Sequence, residues 1–230
     1  MIYTAIADYR RLLPEIIEEK EGISSPYSLF PEKLRSYISS PKSPEVRQSR
    51  LGGYLLLFHT VRFLFGRTDF KIEFTEAGKP YFDSSELKDL SFNISHSGGL
   101  CAVCICDEGK AVGVDIQEEI EKEKAERIKE RFYEGEIPME ESPDPVYLFG
   151  GFSSFGDCFF AEIPSEGIEL CDPSESFLDR WSLCEAVMKC DGGGFASYGN
   201  IEKLLSKTKR QTIRLTYKGK KYSLSTVSEK

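Results

Sequence analysis

The chain has 230 residues, of which 40% are apolar and 30% are charged, and this is the composition of an ordinary globular protein. The net charge of −8 at pH 7 argues against a general nucleic-acid binder, because phosphate backbones are bound through an excess of Lys and Arg. No apolar stretch is long enough to span a membrane, and no basic and then apolar segment resembles a secretory signal. We therefore expect a cytoplasmic protein that binds neither nucleic acid nor membrane.

The net charge comes mainly from one stretch of the chain. Residues 1–100 carry 13 basic and 13 acidic side chains, residues 101–180 carry 7 and 21, and residues 181–230 carry 10 and 4. A polyanionic ligand is therefore expected at the first or the last part of the chain. Residues 137–175 contain nine acidic residues and no Lys or Arg, and we interpret this segment as a strand-and-loop insertion.

The sequence predicts both helices and strands. The predicted helical segments, in chain order, are 5–20 and 32–38 (mixed signals), 45–65 ending at Gly66, 119–133, and 176–190 with Ser176 as its N-cap. The predicted strands are 71–74, 91–95, 100–106, 111–116, 211–217 and 221–227. The pairs 100–106 with 111–116 and 211–217 with 221–227 are expected to form hairpins.

The cysteine and histidine counts restrict the metal sites that the chain can form. Seven cysteines without a secretory signal predict free thiols. Cys101, Cys104 and Cys106 lie in an apolar run, where cysteine usually acts as a small hydrophobic residue and not as a zinc ligand. With two histidines in the chain, a metal would need oxygen ligands, which Mg²⁺ prefers.

Asp115 follows an apolar strand in the string VGVDIQ at residues 112–117. The two-residue period of a strand places Asp115 on the same face as Gly113 and Gln117. That face therefore carries two oxygen-bearing side chains two residues apart. The alternative interpretation is a strand edge that turns toward solvent.

Two further segments carry candidate functional side chains. In the helix 176–190, Glu185 lies one turn from both Trp181 and Lys189, and the alternative is a solvated Glu185–Lys189 ion pair. His96 lies among hydroxyls and glycines just after a strand, where backbone N–H groups could bind phosphate. Its alternative role is that of a hydrogen-bonded turn residue.

These features together match a known family pattern. The strings FNISHSG (92–98), VGVDIQ (112–117), WSLCEAVMK (181–189) and GGGF (192–195) occur in this order, with GKP at 78–80 upstream. The chain thereby resembles the Sfp-type 4′-phosphopantetheinyl transferases, whose pattern reads FNxSHS, then (I/V)G(I/V)D(I/V)(E/Q), then WxxKEAxxKxxGxG. The resemblance covers about residues 45–197.

The resemblance implies a fold and a reaction. The fold would be α+β, with two similar halves related by a pseudo-twofold axis, namely 1–108 on the CoA 3′-phosphate side and 109–230 with the metal site. The enzyme, expected to be a monomer, would transfer 4′-phosphopantetheine from coenzyme A (CoA) to a serine of an acyl or peptidyl carrier protein. The second product would be adenosine 3′,5′-bisphosphate. We predict that the acidic segment 137–175 faces away from the carrier protein.

The resemblance also implies roles for individual residues. Mg²⁺ would be bound by Asp115, Gln117 and Glu185, and Glu185 would also accept the serine proton. Lys189 would act with Glu185 in catalysis by contacting the pyrophosphate. The residues expected to contact CoA are Arg47, Arg50, Lys79, His96, Ser97 and Lys189. Arg47 or Arg50 would bind the 3′-phosphate, and the alignment with the family pattern slightly favours Arg47.

Two positions depart from the family pattern. Cys184 stands where the family has the lysine of KEA, and Gln117 is a neutral ligand where a carboxylate is common. Cys184 motivates an alternative hypothesis, a degenerate homologue that binds CoA or a carrier protein without catalysis. A third hypothesis is a small hydrolase that uses His96 with a nearby serine and needs no Mg²⁺.

Overall fold

The computed structural model describes residues 1–12, 30–132, 146–151, 161–162, 168–171 and 177–230. The strands are β1 (Ile2–Asp8), β2 (Ile72–Phe74), β3 (Pro80–Phe82), β4 (Ser91–Ser97), β5 (Leu100–Cys106), β6 (Val112–Glu118), β7 (Val146–Gly151), β8 (Ala161–Glu162), β9 (Ile168–Cys171), β10 (Thr208–Tyr217) and β11 (Lys220–Glu229). The α-helices are α1 (Tyr9–Leu12), α2 (Glu32–Ser39), α3 (Pro44–Phe65), α4 (Lys122–Phe132), α5 (Phe177–Asp191) and α6 (Ile201–Ser206). Two 3₁₀ segments cover Ser85–Leu87 and Gly194–Asn200.

The strands form two larger sheets and a small hairpin. The first sheet has the order β4-β5-β1-β7-β8, in which β7 runs parallel to β1, and the second has the order β6-β11-β10-β9 with antiparallel pairs. Helix α3 packs on the first sheet and α5 on the second. This mixed α+β architecture is confirmed, whereas the pseudo-twofold relation and the boundary at residue 108 stay predictions.

The buried side chains form layers between these elements. One core lies between α3 and the first sheet, a second lies between the two sheets, and a third lies under α5. In β5, Cys101 faces the α3 core while Cys104 and Cys106 face the core between the sheets. All three thiols are buried and unpaired by disulfides, which confirms their interpretation as small hydrophobic residues.

Helix α3 has well-defined ends that match its prediction. The Ser43 hydroxyl accepts a hydrogen bond from the Val46 N–H, and Pro44 occupies the first turn, where its missing N–H costs nothing. Gly66 ends the helix with φ of 65° and donates its N–H to the Arg62 carbonyl. A left-handed residue at this position favours glycine, as the sequence indicated.

Two predictions of secondary structure are wrong in part. The strands 100–106 and 111–116 are expected to form a hairpin, but β5 pairs with β4 and β1 in the first sheet and β6 pairs with β11 in the second. The segment 5–20 shows mixed helical signals, but residues 5–8 belong to β1 and α1 begins at Tyr9, while 13–20 lie outside the described residues. Ala5 and Ala7 contact the α3 core while Ile6 contacts the core between the sheets. Burial on both faces and pairing with β5 override the local propensity.

The acidic segment is described only in part. Within 137–175 the described residues are those of β7, β8 and β9, so these strands agree with the strand-and-loop interpretation. Strand β7 extends the first sheet and β9 extends the second. The rest of the segment, with most of its phenylalanines, and Ser176 lie outside the described residues.

None of the helices within the described ranges combines the length and apolar character that crossing a membrane requires.

Candidate functional site

Side chains of β4 hydrogen-bond to the backbone of β6 where the two sheets meet. Three acceptors on one face of β4 each bind one N–H of β6: Asn93 Oδ1 binds Val114 N (3.1 Å), Ser95 Oγ binds Ile116 N (3.2 Å) and Ser97 Oγ binds Glu118 N (3.0 Å). Alternate residues of a strand share a face, so the N-x-S-x-S spacing supplies one acceptor at each step. Asn93 and Ser95 were not among the predicted site residues, although this polar alternation was a visible signal for them.

Gly113 lets helix α5 lie directly on strand β6. A Cβ added at Gly113 would lie 2.0 Å from the Ala186 carbonyl oxygen and 2.6 Å from the Cys190 nitrogen. The Ser182 hydroxyl adds a hydrogen bond to the Asp115 carbonyl at 3.0 Å. This close approach brings the side chains of α5 against Asp115.

Asp115 is the most deeply buried acidic group of the site, with 2% of its surface exposed. Its Oδ1 accepts hydrogen bonds from Lys189 Nζ at 2.6 Å and from the Ser95 hydroxyl at 3.0 Å. Its Oδ2 is buried and has no hydrogen-bond partner. The alternative of a solvent-facing strand edge is therefore wrong for Asp115.

Glu185 faces Asp115 from helix α5. Burial raises the pKa of Glu185 to about 7, and the negative charge of Asp115 acts in the same direction. Lys189, with Nζ 4.0 Å from Glu185 Oε2, and a hydrogen bond from the Trp181 side chain oppose that rise. The Glu185–Lys189 pair is thus partly buried against a second carboxylate, unlike the solvated pair of the alternative interpretation.

The two carboxylates fit a hard divalent cation. A buried carboxylate oxygen without a partner is costly, and Asp115 Oδ2 is such an oxygen, beside a second carboxyl whose ionisation is suppressed. No group of three or more His, Cys, Asp or Glu side chains suited to a metal occurs in the described part of the chain. Mg²⁺ is commonly held by one or two carboxylates with waters and substrate phosphates completing its shell, so the donor set suits it.

Gln117, the third predicted metal ligand, points toward the end of β4. Its amide nitrogen lies 3.3 Å from both the Ser97 hydroxyl and the Glu118 carbonyl. The structure thus brings Gln117 and Ser97 together. The metal role of Gln117 stays a prediction.

His96 lies on the opposite face of β4 from Ser95, at the solvent-exposed rim of the site. Partial desolvation lowers the pKa of His96, and the positive charges of Lys189 and Arg50 act in the same direction. These groups therefore influence one another electrostatically. A neutral histidine beside two cations is an arrangement that suits an anionic ligand.

The two candidate arginines are anchored to different carbonyls. Arg47 Nη1 donates to the carbonyls of Pro41 (2.8 Å) and Lys42 (3.0 Å). Arg50 Nη1 donates to the Tyr37 carbonyl at 2.8 Å, and its guanidinium lies 4.2 Å from the centroid of the Tyr37 ring. The positive charge of Arg50 also contributes to the lowered pKa of His96.

Lys79 contacts the end of helix α5. Its Nζ donates to the Cys190 carbonyl at 2.7 Å, and burial lowers its pKa. A lysine at this end of a helix binds the last carbonyls and the negative end of the helix dipole. Its contact with CoA stays a prediction.

Cys184 lies on helix α5 and is buried, with 2% of its surface exposed. Burial raises the pKa of its thiol to about 12, so the thiol is neutral near pH 7. The positive charge that the family pattern carries at this position is therefore absent.

No protein-family model matches the chain. A curated relative from Haemophilus influenzae, named "Putative 4'-phosphopantetheinyl transferase", is 29% identical over 188 residues, which is 77% of this chain and 66% of the relative. This relative confirms the resemblance that the motifs predicted.

Proposed function

We propose that the protein is a Mg²⁺-dependent 4′-phosphopantetheinyl transferase. It transfers 4′-phosphopantetheine from CoA to a serine of an acyl or peptidyl carrier protein and releases adenosine 3′,5′-bisphosphate. In this proposal CoA binds between the two pseudo-symmetric halves of a cytoplasmic enzyme. The main support for this proposal is the buried Asp115–Glu185 pair with Lys189 between the two carboxylates. All three residues lie in motifs that resemble those of the family.

The bond changes define what the site must do. The serine oxygen bonds to the β-phosphorus of CoA, the bond from that phosphorus to the bridging oxygen breaks, and its electron pair stays on the leaving phosphate. Bound Mg²⁺, held by Asp115 and Glu185, would neutralise charge on the phosphate oxygens. The ionised form of Glu185 accepts the serine proton, directly or through water.

The neighbouring cations account for phosphate binding. Lys189 would exchange its bond to Asp115 for one to the pyrophosphate, and His96 would donate a ring N–H to the same group. Arg47 or Arg50, both on helix α3, would bind the 3′-phosphate. Ser97 and the following glycine provide further polar contacts at the end of β4.

Mass spectrometry of carrier proteins tests the proposal. The protein is incubated with CoA, Mg²⁺ and a panel of apo carrier proteins, and the expected result is a mass gain of one phosphopantetheine on at least one of them. Glu185→Gln is isosteric and is expected to abolish the gain while keeping the fold. No mass gain on any carrier protein of the panel contradicts the proposal.

The neutral Cys184 supports a second candidate function, CoA or carrier-protein binding without catalysis. Its buried thiol supplies no charge beside Glu185. This candidate predicts tight CoA binding by calorimetry without turnover, unchanged in Cys184→Lys. Activity gained in Cys184→Lys would identify a weakened enzyme instead.

A further inference from the structure

The hydroxyl of Ser95 is at the centre of the acidic pair's hydrogen-bond network. Ser95 is buried, with 5% of its surface exposed. Its Oγ lies 3.2 Å from the Ile116 nitrogen, 3.0 Å from Lys189 Nζ and 3.0 Å from Asp115 Oδ1. The Ser95 side chain of the first sheet thus contacts both strand β6 of the second sheet and helix α5, which packs on that sheet.

The chemistry of these partners fixes the direction of the Ser95 proton. A serine hydroxyl has one proton and two acceptor lone pairs. The Ile116 N–H and the Lys189 ammonium are donors only, so they occupy the two lone pairs. The single proton therefore points to Asp115 Oδ1, and the bonding capacity of the hydroxyl is complete.

This bond also fixes the orientation of the Asp115 carboxylate. Oδ1 receives hydrogen bonds from both Ser95 and Lys189, while no N–H or alcohol hydroxyl group donates to Oδ2 and the Glu185 carboxyl lies beside the Asp115 carboxylate. Rotating the carboxylate away from this orientation would break the two hydrogen bonds that hold its inner oxygen. Oδ2 is consequently held as the oxygen available to a cation.

We propose that Ser95 is a positioning residue that orients Asp115 so that Oδ2 binds Mg²⁺. This inference rests on the proposed function and deepens it by one residue. Hydrogen-bond partners of metal-binding side chains fix the direction of the ligand atom, and their loss typically lowers metal affinity about 10- to 100-fold. Ser95 has this role although its own oxygen does not bind the metal.

Asn93 provides a matched control for the structural part of the Ser95 contacts. Its Oδ1 accepts the Val114 N–H at 3.1 Å, which is the same kind of bond from β4 to β6 that Ser95 makes to Ile116. Within the described part of the chain, the Asn93 side chain makes no hydrogen bond to Asp115 or Lys189. Loss of the sheet-to-sheet bond alone is therefore tested by Asn93→Ala, and loss of Asp115 orientation by Ser95→Ala.

Calorimetric titration with Mg²⁺ alone, on the full chain without CoA, tests the role of Ser95. We expect Ser95→Ala to weaken Mg²⁺ binding by about tenfold or more, and Asn93→Ala to retain the affinity of the unmodified protein while losing comparable stability. Unchanged Mg²⁺ affinity in Ser95→Ala, or an equal loss in both variants, overturns the inference. If Ser95→Ala does not fold, Ser95→Thr is measured instead, because threonine retains the hydroxyl and is expected to keep the Mg²⁺ affinity. Loss of Mg²⁺ binding in a folded Ser95→Thr variant overturns the inference.

The same titration separates this inference from the proposed function. If the unmodified protein does not bind Mg²⁺, both the metal part of the proposal and the role of Ser95 are overturned. If it binds Mg²⁺ and Ser95→Ala alone weakens the binding, the inference stands even where no carrier protein is modified. Failure to modify any carrier protein would overturn only the transferase proposal.

Discussion

Lys189 Nζ lies 2.6 Å from Asp115 Oδ1, and the ammonium also bonds to the Ser95 hydroxyl and the Val114 carbonyl. These three acceptors use all three of its N–H donors. The lysine thus neutralises Asp115 from the side opposite the unpartnered Oδ2. In this arrangement Lys189 competes with any cation that approaches the acidic pair.

Replacing Lys189 is therefore expected to strengthen binding of Mg²⁺ alone. Lys189→Met removes a positive charge within 4.0 Å of both carboxylates, and we expect Mg²⁺ affinity to rise about tenfold because charge interactions at that distance are strong in a partly buried site. Calorimetry without CoA measures the change. Lys203→Met, at an exposed position of α6, makes the same change in net charge and is expected to have no effect. Weaker Mg²⁺ binding in Lys189→Met would contradict this competition.

The raised pKa of Glu185 predicts a pH-dependent effect on stability. Between its ordinary carboxyl pKa and about 7, folded Glu185 retains a proton that the unfolded chain has released. Stability contributed by this group therefore falls as pH rises through that window. With 22% of the side chain exposed, Asp115 opposite and Lys189 one turn away, we expect Glu185→Gln to gain on the order of 1–2 kcal/mol relative to the unmodified protein between pH 4 and pH 8.

Denaturant unfolding in the presence of EDTA measures this difference at the two pH values. Saturating Mg²⁺ is expected to remove it, because a bound cation stabilises the ionised carboxylate. The same pH dependence in Glu185→Gln and in the unmodified protein would show that Glu185 titrates like an exposed carboxyl.

Gly113 is expected to be intolerant of any side chain. In Gly113→Ala the new Cβ would lie 2.0 Å from the Ala186 carbonyl oxygen, so α5 must shift away from β6. We expect a loss of about 2 kcal/mol or more in the free energy of unfolding. Gly199→Ala is the control, because nothing lies within 4 Å of an added Cβ there, and its effect is expected within about 0.5 kcal/mol. Equal stability of the two variants would argue against the close helix–strand contact.

Lys79 is expected to stabilise the protein even without CoA. Lys79→Met removes the bond to the Cys190 carbonyl at the end of α5, and we expect a loss of about 1–2 kcal/mol in the free energy of unfolding. Lys71→Met, at an exposed position before β2, serves as the control. Undiminished stability in Lys79→Met would indicate that the lysine serves the ligand alone.

Local periodicity was sufficient to find part of the site. Strand alternation placed Asp115 on the face of Gly113, and helical spacing placed Lys189 one turn from Glu185. Both relations lie within one element, and the structure contains both. The α+β class was predictable because motifs in a specific order matched a family pattern.

Contacts between elements distant in sequence were not predictable in this way. The Ser95–Asp115 hydrogen bond depends on the meeting of β4 and β6 edges from different sheets, and the Lys79–Cys190 bond joins residues 111 positions apart. The strand at Ile2–Asp8 was misread in part as helix because its two faces contact different cores. Such burial is a property of the assembled layers and leaves no local period.

The most direct test of the central claim is a side-by-side mass measurement of an apo carrier protein incubated with CoA and either the unmodified protein or Asp115→Asn. Each reaction is run with Mg²⁺ and again with EDTA. The account predicts a mass gain of one phosphopantetheine only with the unmodified protein and Mg²⁺, together with release of adenosine 3′,5′-bisphosphate. A gain of equal rate with Asp115→Asn, or with EDTA, would contradict it.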